Sequence, residues 1–168
     1  MKSSDLLIDG FERVNQTAHR VLDGIEHDAL TARIDPGANT IAWLIWHLTR
    51  VQDDHLADAF DAHQLWASRG WMERFDLPFA ASATGYGQSP DDVAAVQPTG
   101  YLLLSYADAV HAQTVEHLTA VTDADLDRIV DTRWNPPVTL GVRLISVISD
   151  SLQHVGQAAY VKGVLGRR

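Results

Sequence analysis

Four long segments of the chain repeat their apolar residues at intervals of three or four, and this spacing constrains the fold more than any other feature. It matches the 3.6-residue turn of an α-helix and gives each segment one apolar face. No segment shows a convincing strand pattern. The four sets are Leu7, Phe11, Val14, Ala18, Val21, Leu22 and Ile25; Ile41, Leu44, Ile45, Leu48, Val51 and Leu56; Tyr101, Leu104, Ala107, His111, Val115 and Leu118; and Val142, Ile145, Ile148, Leu152, Val155 and Ala159. The sequence therefore predicts an all-α, four-helix bundle that forms one domain over residues 1–168.

The ends of the predicted helices follow from residues that start or stop helices. The first helix is expected to end before the Asp-Pro-Gly turn at 35–37. The second begins after Asn39 or Thr40, either of which is a good N-cap. The third starts near Gly100, and the fourth follows the two prolines at 136–137. Because the first link is short, we expect the first two helices to be antiparallel neighbours.

A long crossover joins the second and third predicted helices over residues 64–98 and is rich in Trp, Gly, Ser and Pro. A link of this length inside a compact domain is usually functional or contains short helices of its own. The segment at 91–96, opened by Ser89 and Pro90, is predicted to be one such helix. The Gly-Tyr-Gly run at 85–87 is interpreted as a turn rather than a phosphate-binding loop.

Composition excludes several classes of function. Lys and Arg number 13 against 22 Asp and Glu, which gives a net charge of −9 and argues against a nucleic-acid partner. No apolar segment approaches the length of about 20 residues that a membrane span needs, and the N-terminus lacks the apolar core of a secretory signal. The chain has no cysteine, which removes disulfides, thiolate ligands and cysteine nucleophiles. We therefore expect a cytoplasmic protein without a membrane partner.

Three residues on two predicted helices could hold a metal ion. His47 falls within the apolar stripe of the second helix, between Leu44 and Val51. Asp150 and His154 lie one turn apart on one face of the fourth helix. Two histidines and one carboxylate from facing helices suit a divalent metal site with open positions. The alternative is a hydrogen-bonded Asp–His pair beside an ordinary core histidine.

Other polar and aromatic residues are weaker candidates. His55 and His63 stand among aspartates and are interpreted as part of a solvated acidic face. His111 shares an apolar stripe, could approach a site in the bundle core, and is a supplementary candidate for thiol or substrate binding. Most of the five tryptophans are expected to pack in the core.

Three further candidates for thiol or substrate binding lie near the predicted metal site in sequence. Trp46 adjoins His47, and Trp134 precedes the helix that carries Asp150, so both are placed near a pocket. Arg50 could hold a carboxylate of a thiol or substrate, and a surface ion pair with Asp53 or Asp54 is the alternative.

The segments WLIWHLTR at 43–50 and DSLQHVGQ at 150–157 resemble the two signature helices of the DinB-like superfamily. The resemblance covers essentially the whole chain and is nearest to the branch of mycothiol-dependent maleylpyruvate isomerases and thiol transferases. It implies a four-helix bundle whose metal, zinc or nickel, is held by His47, Asp150 and His154. Many members have His at the position of Asp150 and the isomerase has Glu, so this chain keeps a carboxylate there.

The resemblance also implies a function. A metal-bound thiol is deprotonated, and since the chain has no cysteine the sulfur must come from a low-molecular-weight thiol such as mycothiol. The expected activity is a metal-dependent transfer of that thiol to a small electrophile. The alternatives are a metal-dependent hydrolase that activates water and a non-catalytic metal- or ligand-binding protein of a stress response. A tryptophan-rich crossover that is expected to be exposed, together with extra apolar surface, also suggests a homodimer.

Overall fold

The computed structural model describes residues 1–167 and confirms an all-α fold, with four long helices, four short ones and one 3-10 turn in that part of the chain. The helices are α1 (Ser3–Leu22), α2 (His27–Thr31), α3 (Ile41–Ala59), α4 (Leu65–Ser68), α5 (Trp71–Phe75), α6 (Pro90–Ala95), α7 (Gly100–Thr119) and α8 (Leu140–Leu165); the 3-10 turn is Asp123–Asp127. Among these helices, none is both long and apolar enough to cross a membrane.

Threonine begins three of the four long helices, close to the positions that the sequence predicts. The hydroxyl of Thr40 accepts a hydrogen bond from the backbone of Trp43 at the start of α3. Thr99 caps α7 and Thr139 caps α8 in the same way. Each cap satisfies a backbone N–H that has no partner within the helix. The first helix is shorter than predicted, because α1 ends at Leu22 and a separate short helix, α2, follows.

The long helices form a bundle in which α1 and α3 lie diagonally opposite each other. Both α1 and α3 pack against α7 and α8. The expectation that the first two helices are antiparallel neighbours is therefore wrong. Since α1 ends at Leu22, the connection over residues 23–40 is long enough to cross the bundle. This arrangement places α3 directly against α8, the two helices that carry the predicted metal ligands.

A small hairpin also departs from the prediction that the chain has no strand. Strands β1 (Ile129–Asp131) and β2 (Val138–Thr139) pair antiparallel, with Ile129 opposite Thr139. The hairpin leads directly into α8 and carries Trp134 at its tip.

The crossover between α3 and α7 packs onto the bundle rather than extending from it. Its first part carries α4 and α5, whose aromatic side chains surround Tyr106 of α7. Its second part contains α6, the short helix that the sequence predicts, with Ser89 and Asp92 capping each other. Between these parts, residues 80–88 cross α3, where the carbonyl of Ala83 accepts a hydrogen bond from Arg50 and Gln88 accepts one from Trp43. The crossover therefore covers the middle of α3, where His47 lies.

Candidate metal centre

His47 is buried in the middle of α3 and its ring is held from two sides. Its Nδ1 lies 2.5 Å from the carbonyl oxygen of Thr84 in the crossover. The Trp43 indole stacks on the imidazole, with ring centroids 4.6 Å apart and planes inclined by 10°. Because a carbonyl oxygen only accepts hydrogen bonds, Nδ1 carries the proton and Nε2 keeps a free lone pair. This is the tautomer of a histidine that binds a metal through Nε2.

The His154 ring is held in the same tautomer, in this case by a backbone carbonyl of its own helix. Its Nδ1 donates a hydrogen bond of 2.8 Å to the backbone carbonyl of Asp150, one turn earlier. The same nitrogen lies 3.4 Å from Asp150 Oδ2, which is an electrostatic contact rather than a second strong hydrogen bond. The ring meets that of His47 edge to face at a centroid distance of 4.5 Å. Its Nε2 is therefore also left with a free lone pair.

The structure brings the three predicted ligands together. One ligand atom from each of His47, Asp150 and His154 lies within 4.8 Å of the others. Asp150 Oδ2 is buried and has no hydrogen-bond partner among residues 1–167. A buried carboxylate oxygen without a partner is costly unless it binds a cation. Two imidazole nitrogens and one carboxylate oxygen fit zinc or nickel and leave coordination positions open.

The electrostatics of the three side chains are coupled. Burial lowers the pKa of His47 below its ordinary value, which favours the neutral, metal-binding form. Burial acts to raise the pKa of Asp150, but contact with His154 and the nearby His47 outweighs it, and the pKa is lowered. Contact with the Asp150 side chain raises the pKa of His154 in spite of burial. A cation at this position would face a negatively charged carboxylate, and only His154 holds a proton more tightly than usual.

The cluster opens onto a pocket of about 520 Å³ between α3, α8, the crossover and the hairpin. Trp134, which the sequence places near a pocket, lies at its mouth and is 66% exposed. Tyr86 of the Gly-Tyr-Gly turn is a second exposed aromatic residue there. The complete lining is His47, Val51, Asp54, His55, Thr84, Tyr86, Trp134, Arg143, Ser146, Val147 and Asp150. Substrate-sized space is thus adjacent to two of the three predicted ligands.

Two other predicted binding residues lie outside this pocket. Trp46 is buried against Trp66 and Phe79. His111 lies on α7 and pairs with Glu12 of α1 at 2.8 Å.

Arg50, the fourth predicted binding residue, also lies outside this pocket; its ion pair with Asp53 is present, but it is buried and not on the surface. Its Nη1 lies 3.6 Å from Asp53 Oδ2, and both side chains are 0% exposed. The guanidinium also lies over the Trp66 ring and donates to Tyr106. The crossover covers this part of α3, which the helical pattern alone could not indicate.

His55 and Arg143 line the pocket, and sequence reasoning missed both. His55 was interpreted as part of a solvated face, but its side chain is only about one-third exposed and its Nδ1 lies 3.1 Å from Arg143 Nη1. A signal was available, because residues 47, 51 and 55 follow one another at intervals of four on α3. On α8, Arg143 precedes Asp150 by two turns and falls on the same face.

The fold and the cluster together define a class, a four-helix bundle with a candidate three-ligand metal centre between two of its long helices. The chain belongs to the DinB superfamily, whose family model matches residues 10–158. No curated protein matches the chain significantly.

Two solved structures resemble the whole fold. One is a conserved protein from Enterococcus faecalis, with 28% identity and a TM-score of 0.92 over 100% of this chain and 99% of that one. The other, a DinB-like protein from Bacillus cereus ATCC 10987, is 18% identical and has a TM-score of 0.60 over 95% of this chain and 91% of that one. The second similarity concerns the fold alone.

Proposed function

We propose that this protein binds zinc or nickel through His47, Asp150 and His154 and transfers a low-molecular-weight thiol, mycothiol in the first instance, to a small electrophile. The observation that carries the proposal is a cluster of three ligand atoms beside an open pocket. A structural zinc site is normally closed by four protein ligands, whereas catalytic sites keep a position free. A bound divalent metal supplies the positive charge that turns a coordinated thiol into a thiolate at neutral pH.

The nucleophilic sulfur has to arrive from solution, because the chain contains no cysteine. A free thiol with a pKa of about 8.5 is only a few per cent thiolate at pH 7, so its activation raises the reactive fraction by at most about thirtyfold. Holding the thiol beside its electrophile contributes further through proximity. A cytoplasmic location, where such thiols are kept reduced, fits this chemistry. Mycothiol is the thiol that the resemblance to the isomerase branch implies.

The residues of the chain have distinct parts in this proposal. Thr84 and Trp43 keep the His47 ring in one tautomer and orientation. Val51 and Val147 form an apolar wall that limits water around the reacting groups. Trp134 and Tyr86 present aromatic faces at the mouth, where the organic part of a substrate can be held.

The experiment loads the purified protein with zinc or nickel, adds mycothiol or glutathione, and follows conjugation to monochlorobimane by fluorescence. We expect conjugation that requires the metal, prefers one thiol, and is lost in His47→Ala. The matched control is His63→Ala, which removes an exposed histidine from the loop between α3 and α4. Thiol binding without turnover across a panel of electrophiles would instead indicate a binding protein, and metal-dependent ester cleavage without any thiol would indicate a hydrolase.

A cobalt-substituted sample provides an independent test of thiol binding. Thiolate coordination changes the visible absorption of cobalt, so mycothiol should alter the spectrum of the wild-type protein. If no thiol perturbs the cobalt spectrum, the thiol proposal is wrong.

A further inference from the structure

Behind His55, three charged residues form a hydrogen-bonded chain that leads from the hairpin into the pocket. The carboxylate of Asp131, on β1, is 2% exposed and accepts a hydrogen bond of 2.7 Å from Arg143 Nη2. Arg133 donates to the same carboxylate through Nε and Nη2, each at 2.9 Å. The other end of the Arg143 guanidinium, Nη1, lies 3.1 Å from His55 Nδ1. Arg143 is thus fixed at both ends.

This arrangement determines which nitrogen of His55 carries the proton. A guanidinium is always protonated and only donates hydrogen bonds, so His55 Nδ1 must accept. The proton of the neutral ring is then on Nε2, so that this residue of the pocket lining can donate a hydrogen bond from Nε2. Burial and the Arg143 charge lower the pKa of His55, against the opposing charges of Asp54, Asp58 and Asp150, so the ring is neutral near pH 7.

We propose that His55 is the hydrogen-bond donor for the electrophile and that this electrophile is an uncharged carbonyl compound with a flat apolar body. The donor is the Nε2–H group of His55. Arg143 and Asp131 act as positioning residues that hold the His55 ring. His47 and His55 lie eight residues apart on α3, about 12 Å along the helix axis. A molecule in the pocket can therefore extend from the metal ligands to His55.

The charges around the pocket favour a neutral substrate over an anion. Arg143 is the one cation in the pocket lining, and its charge is paired with Asp131. Asp54 also lines the pocket, 4.0 Å from His55 Nδ1, and would repel an anion at that end, whereas the charge of Asp150 is assigned to the metal. At the His55 end, a donor N–H beside apolar and aromatic walls, without an unpaired cationic side chain, suits a carbonyl oxygen on a ring system.

The first test is the tautomer of His55, read from the ring carbon and nitrogen chemical shifts in a labelled sample. We expect Nε2–H in the wild-type protein and a mixture that includes Nδ1–H in Arg143→Met, which removes the donor and keeps an unbranched apolar stem. Nδ1–H in the wild-type protein would overturn the inference.

The second test compares acetophenone with α-methylstyrene, which has the same shape but lacks the carbonyl oxygen. In NMR titrations of the zinc-loaded protein without thiol, His55→Phe should weaken acetophenone binding about fivefold and leave α-methylstyrene unchanged. His63→Phe, an exposed change, is the control and should alter neither. Equal effects on both probes, or no effect on acetophenone, would overturn the inference.

The inference rests on the proposed function for the role of the bound molecule as an electrophile, but the two can fail separately. If the protein conjugates a thiol but its binding of the carbonyl probe does not depend on His55, the subsite is rejected and the proposed transferase function stands. If binding of the carbonyl probe depends on His55 but no thiol is conjugated, the proposed transferase function is rejected and the subsite stands.

Discussion

Gly85 lies so close to the imidazole of His47 that a Cβ atom at this position would be 2.6 Å from His47 Nδ1. The same atom would be 3.1 Å from the rings of Trp43 and Trp46. The backbone of Gly85 has a φ of 101°, a conformation that residues with a side chain rarely adopt. Glycine here lets the crossover approach α3 closely enough for Thr84 to hold the histidine ring.

Gly85→Ala should therefore weaken zinc binding by about 10- to 100-fold, the usual effect of losing a partner that orients a metal-binding histidine. The added methyl group forces the Thr84 carbonyl or the His47 ring to move. Affinity is measured by competition with a chelator. The control is Gly87→Ala, which also has a positive φ, of 71°, but has nothing within 4 Å of the added carbon. Equal loss of affinity in both variants would contradict a specific contact with His47.

The buried pair of Arg50 and Asp53 should contribute strongly to stability. Arg50→Leu leaves the Asp53 carboxylate without its cation, although Tyr106 and two backbone N–H groups still donate to it. Breaking a buried ion pair costs about 3 to 5 kcal/mol of unfolding free energy. Urea unfolding measures the change.

Arg13→Leu is the matched control for Arg50, because Arg13 pairs with Asp9 on the exposed face of α1. An exposed pair of this kind is screened by solvent and contributes little to stability. Similar decreases in unfolding free energy in the two variants would show that burial does not increase the contribution of the Arg50–Asp53 pair.

Zinc affinity should decrease with falling pH in a range set by His154. Zinc competes with a proton for this side chain, and contact with Asp150 raises its pKa above the ordinary value of about 6.5. Protonation therefore begins to oppose binding already above that pH, while His47, whose pKa is lowered, is still neutral. Asp150→Asn removes the negative charge. It should weaken zinc binding overall and lower the midpoint pH, at which affinity has fallen halfway in a titration of zinc binding against pH. A wild-type midpoint no higher than that of Asp150→Asn would contradict this account.

The sequence suggests a homodimer, and we predict that the two copies meet through the outer face of α8. Val142, Ile145 and Leu152 are exposed there at the spacing of a helix–helix seam, with Ser149 between them and no charge in the row. An uncharged row allows two copies of an acidic protein to meet without local repulsion. Sedimentation at micromolar concentration should show twice the 18.5 kDa mass of the chain. Ile145→Glu should yield the monomer, whereas Leu6→Glu, an exposed change on α1, should not; a wild-type protein of 18.5 kDa alone would refute the dimer.

Periodicity and helix caps were sufficient to predict the parts of the fold that depend on local sequence. Thr40 and the residues around Gly100 mark the starts of α3 and α7 because capping acts within one turn. The interval between Asp150 and His154 places both on one helical face whatever their neighbours are. The geometry of the cluster then requires only that α3 and α8 pack together.

What escaped prediction depends on contacts between segments far apart in sequence. The strands of the hairpin have three and two residues, too few for an alternating pattern. The burial of Arg50 and the position of His55 are set by the crossover and by Arg143, neither of which the pattern of α3 contains. The diagonal placement of α1 and α3 likewise follows from how the connection crosses the bundle.

The most direct test of the metal centre is equilibrium dialysis of the wild-type protein and its single-ligand variants against micromolar zinc, followed by elemental analysis. The account predicts about one zinc per chain in the wild-type protein and in the His63→Ala control, and its loss in His47→Ala, Asp150→Ala and His154→Ala. Near-stoichiometric zinc retained in both His47→Ala and His154→Ala would contradict it.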